Sequence, residues 1–209
     1  MAYNDMKKII TFLLFSLLGL TTLMSQNLTP RQVLEKTVRE ISSSKGVSAR
    51  FTITNSGYSS KGEIKVSGEK FKVIIPDTKI WYNGKDLYTY NENTDETTIV
   101  KPTSEELAES NPLAYVTDAG NNFNVSNSTV KKTGSYVLEL KPKTKGDVKR
   151  ITLTVNKVSF IPERIVIEPM MGSPIRADIY DFKKGGTFNP IEFEYPSKQY
   201  PKAEIVDLR

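Results

Sequence analysis

The sequence contains no cysteine and no histidine among its 209 residues. Without histidine there is no imidazole base, so Ser-His-Asp and Cys-His nucleophile machinery cannot be assembled from this chain. Without either residue, zinc, copper, haem and iron–sulfur centres lose their preferred ligands, and only carboxylate sites for hard cations remain. Disulfides are excluded, so the fold must be held by its own core. Acid–base chemistry would fall to Asp, Glu, Lys, Tyr or Ser alone. The adjacent acids Glu105-Glu106 and Asp95-Glu96 point apart rather than converge, which suits capping and solvation. The expectation is a protein that is not an enzyme and carries no metal or cofactor. A basic stripe is also missing. The 29 Lys and Arg against 24 acids, net +5, are spread along the chain, and no RNP-like or helix-turn-helix pattern occurs, so nucleic acid is not an expected partner.

A membrane-spanning run is lacking as well. Met6-Lys7-Lys8 precedes the apolar stretch Ile9 to Leu20, which turns polar at Thr21-Thr22 and reaches Ser25-Gln26. That is the basic, apolar and small-residue order of an export signal. It is shorter than the ~20 apolar residues of a spanning helix, so cleavage is expected rather than retention as an anchor. The expected division is residues 1–25 as signal peptide, with Met6 an alternative start, and residues 26–209 as one soluble exported domain. Removing Lys7, Lys8 and Asp5 leaves that domain at net +4. With no cysteine behind the signal, the chain cannot be acylated as a bacterial lipoprotein.

What is present is mostly β pattern. A first helix is signalled by Thr29-Pro30-Arg31-Gln32, a capping box with proline at the first position, followed by Leu34, Val38 and Ile41 on one face. From Val47 the apolar period changes to two: Phe51 and Ile53, then Ile64 and Val66, then Phe71, Val73 and Ile75. Ile80 to Tyr90 carries Asn83-Gly84, the dipeptide preferred by a type I′ hairpin turn, and Glu96 to Lys101 closes the first meander. Thr103 to Glu106 repeats the capping box, and Asn111-Pro112 opens a second short helix over 112–119 with Leu113 and Val116. Strands are expected again at 123–130, 136–140, 148–155, 163–168, 175–182, 188–194 and 203–208.

The fold class is therefore mainly β (α+β): an antiparallel sheet of about a dozen strands, too many to stay flat, with short helices to cover it. The helix stripes must dock on an apolar face, and the concave side of an incomplete barrel supplies one. Pattern alone leaves an apolar cavity and a filled core equally open.

Several stretches resemble the periplasmic outer-membrane lipoprotein carrier (LolA-like) family and its lipoprotein-sorting relatives. They are Gly62 to Val66, Phe71 to Val73, Ile80 to Asn91, Asn111 to Val116, Ile151 to Val155, Ile161 to Ile165, Phe193 to Pro196 and Ile205 to Arg209. The resemblance implies a half-open barrel with a helical lid that shields acyl chains across the aqueous periplasm by binding and release. It implies a monomer whose partners are an acylated lipoprotein or other lipid cargo, an inner-membrane ABC exporter, and an outer-membrane receptor or membrane. Phe51, Ile53, Ile64, Val66, Phe71, Val73 and Ile75 are then the expected cavity wall, with Trp81, Tyr88 and Tyr90 at its mouth, and Leu34, Val38, Ile41, Leu113 and Val116 as lid contacts. Core packing and cross-strand aromatic pairing account for the same residues. Family members commonly carry an Arg-Pro pair after the second strand, whose arginine fastens the lid; here the segment reads Ser67-Gly68-Glu69-Lys70-Phe71. A sensor or adaptor that uses the half-barrel to bind proteins is the alternative. An apolar cavity above ~300 Å³ would favour the carrier, and a packed interior the adaptor.

Overall fold

The computed structural model describes residues 28–42 and 45–209, and the expected signal segment lies outside them. Helix α1 (Pro30–Ile41) starts as its capping box requires: the Thr29 side chain accepts from the Gln32 N–H, and Gln32 Oε1 accepts from the Thr29 N–H. Its apolar face is buried at Val33, Leu34 and Ile41. Six strands follow, β1 (Val47–Asn55), β2 (Tyr58–Ser67), β3 (Lys70–Ile75), β4 (Thr78–Tyr82), β5 (Leu87–Asn91) and β6 (Glu96–Val100). Three short helices come next, α2 (Ser104–Ser110), α3 (Ala114–Thr117) and α4 (Ala119–Asn122). A second meander runs through β7 (Phe123–Asn127), β8 (Ser135–Pro142), β9 (Val148–Asn156), β10 (Pro162–Pro169) and β11 (Ile175–Lys184), and β12 (Glu204–Asp207) ends the chain's regular structure.

All twelve strands form one sheet in the order β12-β6-β5-β4-β3-β2-β1-β11-β10-β9-β8-β7. The meanders are joined at a seam between β1 and β11, where Phe51 faces Ile179 and Ile53 faces Ala177. Within the described residues the sheet stays open, because β7 pairs only with β8 and β12 only with β6. Every neighbour is antiparallel except β12, which runs parallel to β6. Having left β11 beside β1, the chain must cross five strands to reach β6, and it does so over the outer face. Lys65 on β2 pairs with Glu192 at 2.6 Å, the 3₁₀ turn Pro190–Phe193 packs on β3, and Asn83 Nδ2 donates to Glu194 Oε2 at 2.9 Å.

Two local expectations are corrected. Asn83-Gly84 is part of a four-residue loop, with Tyr82 paired to Leu87, rather than a type I′ turn. Only Gly84 has positive φ, and the Asn83 carboxamide oxygen accepts from the Lys85 and Asp86 N–H groups, so the side chain closes the loop. The segment 188–194 is no strand. Asn189-Pro190-Ile191-Glu192 forms a capping box that winds it into a 3₁₀ turn.

Candidate functional site

Directly paired residues in neighbouring strands point to the same face, so the register sorts the side chains. Phe71 faces Tyr82, which faces Leu87, which faces Val100. On the other side of β1, Ala177 faces Ile165, which faces Leu153, which faces Leu138. Phe71, Leu87, Ile165, Leu153 and Leu138, with Val47, Ala49, Ile64, Val66, Val73, Leu140, Ile151, Val155 and Ile167, form one core that spans the inner face, and Tyr82 and Val100 pack against it.

The helices lie on that face. Leu34, Ile41, Leu113 and Val116 are buried in the core and Val38 packs at its edge. Helix α1 contacts α3, α4 and β7, while α2 contacts α3. The expected single helix over 112–119 is two single turns that meet at Asp118, with Leu113 held ahead of them. Asn111, itself buried, fixes that approach: its carboxamide oxygen accepts from the Leu113 N–H at 3.0 Å, and its carbonyl accepts from the Ala114 N–H at 2.9 Å.

Phe51, Ile64, Val66, Phe71 and Val73 are buried on the inner face, and Ile53 and Ile75 are half-buried toward one end of it. Trp81, Tyr88 and Tyr90 are not at the mouth. Trp81 pairs with Lys72 and Tyr88, and Tyr90 with Lys79 and Thr97, which places all three on the outer face. There the crossing segment covers them. Tyr195 packs on Trp81 and stacks on Tyr88, with ring centroids 5.6 Å apart in both cases, and Tyr200 sits 4.1 Å from Tyr90. This is a second small core. The inner-face aromatic of β4 is Tyr82, one residue on, its ring 5.4 Å from Phe71. Parity with Phe71 and Val73 would have shown this, but β4 is apolar on both faces and the pattern was ambiguous. The wall contributed by β8 to β11 was also missed as a site, although Leu138, Leu140, Ile151, Leu153 and Ile165 alternate as regularly as the first meander.

The lid sits tightly. Where Pro112 and Leu113 meet the seam, the space bounded by Ala49, Phe51, Ile64, Ala177 and Ile179 is about 10 Å³ and wholly apolar in lining. That is room for about one water molecule, with no polar partner to hold it. A larger cleft of about 290 Å³ lies outside the core, between α2–α4 and the β8–β9 loop, and is walled by Glu105, Tyr115, Asp118, Phe123, Lys145 and Asp147 among others. Burial, together with the charges of Glu109, Glu105 and Asp147, raises the Tyr115 pKa.

The turn between β2 and β3, where the Arg-Pro latch is expected, presents Glu69. Burial raises the Asp118 carboxyl above its ordinary value, and the charge of Glu69 adds to the rise. Burial and Glu69 likewise raise Tyr82. Among the described residues no cluster of three or more Asp or Glu could hold a metal ion, and no helix is long and apolar enough to cross a membrane.

Comparison with known proteins accords with this architecture. An uncharacterized conserved protein from Thermus thermophilus has a similar structure, with a TM-score of 0.58 at 12% identity, covering 85% of this chain and 98% of that one. A LolA superfamily protein from Nitrosomonas europaea (TM-score 0.46, 14% identity, 80% and 98% covered) is more distantly similar. So is an outer membrane lipoprotein-sorting protein domain from Vibrio parahaemolyticus (TM-score 0.47, 11% identity, 83% and 98% covered). At 12% identity the likeness to the Thermus thermophilus protein is one of fold. No curated protein matches the chain. The profile of the family described as outer membrane lipoprotein carrier protein LolA matches residues 20–169, more than two thirds of the sequence. The chain belongs to the LolA-type outer membrane lipoprotein carrier family.

Proposed function

We infer that this protein is an exported carrier that takes the acyl chains of a lipoprotein, or of a related lipid, between its lid and the inner face of its sheet. It shuttles them from an inner-membrane exporter to the outer membrane or a receptor there. The observation that carries this reading is the lid itself: short helices whose Leu34, Ile41, Leu113 and Val116 are buried in one continuous apolar core with the inner face of an open sheet. Among the described residues the gap where the lid meets the seam is only about 10 Å³, so cargo entering there must lift the lid, and the magnitudes permit that. Each buried methylene contributes about 0.8 kcal/mol, so a chain of about 15 methylenes supplies about 12 kcal/mol. Exposing the buried Val33, Leu34, Ile41, Leu113 and Val116 costs about 1.5–3 kcal/mol each, or about 7.5–15 kcal/mol together. Capture and release are then close to balance, as a carrier requires.

The absence of cysteine makes the test clean. A pair introduced by Leu113→Cys and Ala177→Cys, both bordering the same gap, can be cross-linked to tie the lid down. A fluorescent fatty-acid titration should show binding to the untied protein and none to the tied one. Equal binding by both would sink the carrier reading. A protein-binding adaptor is the second reading, favoured by the filled interior. It predicts that a protein partner binds the tied form as well as the free one.

A further inference from the structure

We propose that Leu113 is a built-in plug, standing where the end of the acyl chain goes. The inference rests on the carrier reading and names one place within its site. The inner face is paved with large side chains, but at the seam two buried alanines, Ala49 on β1 and Ala177 on β11, stand among Phe51, Ile64 and Ile179. The short side chains leave a dent facing the lid. Leu113 and Pro112 border it, and about 10 Å³ remains free.

The means of placing Leu113 support this role. It precedes α3 rather than belonging to a helical stripe, so its direction is set by the Asn111-Pro112 turn. Asn111 is 6% exposed, an unusual position for an amide. Its backbone N–H donates to the Leu107 carbonyl, its carbonyl accepts from Ala114 and its side chain accepts from Leu113. The turn is fully anchored on both sides of the plug. What it presents is a branched hydrocarbon tip, 3% exposed, in a pocket lined only by hydrocarbon. An alkyl chain is the ligand whose chemistry matches that occupant, and no ionic or hydrogen-bonding group borders the dent to select anything else. Cargo would therefore displace Leu113 to reach the seam, and Leu113 would compete for the same place when cargo leaves. Removing the plug should tighten acyl binding, because the competitor is gone while the wall is intact.

The experiment compares Leu113→Ala with Leu34→Ala. Both residues are buried lid leucines, but Leu34 does not border the dent. Each variant is titrated with a fluorescent long-chain fatty acid, and xenon binding is followed through the methyl NMR signals of Ala49 and Ala177. Leu113→Ala should bind the fatty acid at least about tenfold more tightly than Leu34→Ala, and it alone should admit xenon beside the two alanines. If wild type binds fatty acid and the two variants shift affinity alike, the plug is refuted while the carrier reading stands. If neither wild type nor Leu113→Ala binds fatty acid, both fall. Circular dichroism on each variant identifies a loss of fold, and Leu113→Val, which keeps a shorter plug, should then fall between wild type and Leu113→Ala in affinity.

Discussion

The sharpest test of the inner-face packing is a methyl group at Gly62. This glycine pairs with Phe51 across β1 and β2, and the Phe51 ring lies over it. A Cβ added at Gly62 would stand 2.5 Å from Phe51 Cζ, 2.7 Å from the Ile74 carbonyl oxygen and 2.7 Å from Ile75 Cγ2. Carbon atoms pack at about 3.5–4.0 Å, so the ring must retreat by more than about 1 Å. It cannot do so freely, since the space beside it is only about 10 Å³ and is closed by Leu113. Overpacking of this kind costs about 1–3 kcal/mol. Replacing glycine within a strand returns about 0.5–1 kcal/mol. Because one obstacle is a backbone carbonyl, the net loss should lie near the upper part of that range, about 2 kcal/mol. For a domain of this size that lowers Tm by roughly 4–8 °C. Thermal and urea unfolding of Gly62→Ala, Phe51→Leu and the double variant would give the coupling energy. Phe51→Leu should recover about 1 kcal/mol or more of the loss. Should Gly62→Ala melt within a degree of wild type, or the two substitutions simply add, the ring-over-glycine packing is wrong.

Other expectations follow from the outer face and the lid. Thr97 is fully buried and its hydroxyl donates to Tyr195 Oη at 2.9 Å; Tyr195→Phe should cost about 1–3 kcal/mol by stranding that donor, and less in a Thr97→Val background, as urea unfolding would show. Asp118 has a raised pKa in the folded protein, so folding takes up protons just above the ordinary carboxylate value. Stability therefore falls as pH rises through that window. Asp118→Asn should flatten this part of the pH–stability curve and raise Tm at neutral pH, whereas an unchanged curve would contradict the assignment. Asp207 behaves oppositely: hydrogen bonds from Arg209 hold its pKa down to about 2. Its contribution is present above the ordinary carboxylate value and is lost as pH falls toward about 2. The protection factor of the Leu208 N–H, which bonds the Ile99 carbonyl at 2.8 Å, should fall over that range in wild type and show no such step in Arg209→Gln.

Strand positions were legible because one face of an antiparallel strand is buried and the period of two is written directly into Phe51-Ile53, Ile64-Val66 and Phe71-Val73. The first helix was legible for a similar reason, since its cap and its stripe agree. What failed was everything that depends on a distant partner. Trp81 reads like a mouth residue until Tyr195 and Tyr200, more than a hundred residues later, are seen to cover it. The segment 188–194 has the apolar alternation of a strand, but Asn189 and Glu192 cap a turn locally and no strand edge is free on the face it crosses. The seam between β1 and β11 has no local signature at all. Because the lid closes over that seam, the plug position of Leu113 could not be recognised from its own neighbourhood.

The seam has a consequence for how the chain reaches its final form. Each meander is built from hairpins between near neighbours in sequence, but β1 and β11 are brought together from positions more than a hundred residues apart, as in the pairing of Thr52 with Asp178. Loop closure over that distance predicts that the join is the slow step, leaving a strand edge open on each half until it forms. Those edges are charged: Arg50 pairs with Asp181 across the junction, and Arg164 and Arg176 both engage Asp178 behind it. Such charges discourage edge-to-edge association while leaving the correct partner favoured. The width of the sheet thus predicts slow assembly, with Arg50–Asp181 the ion pair that fastens the two halves across the junction.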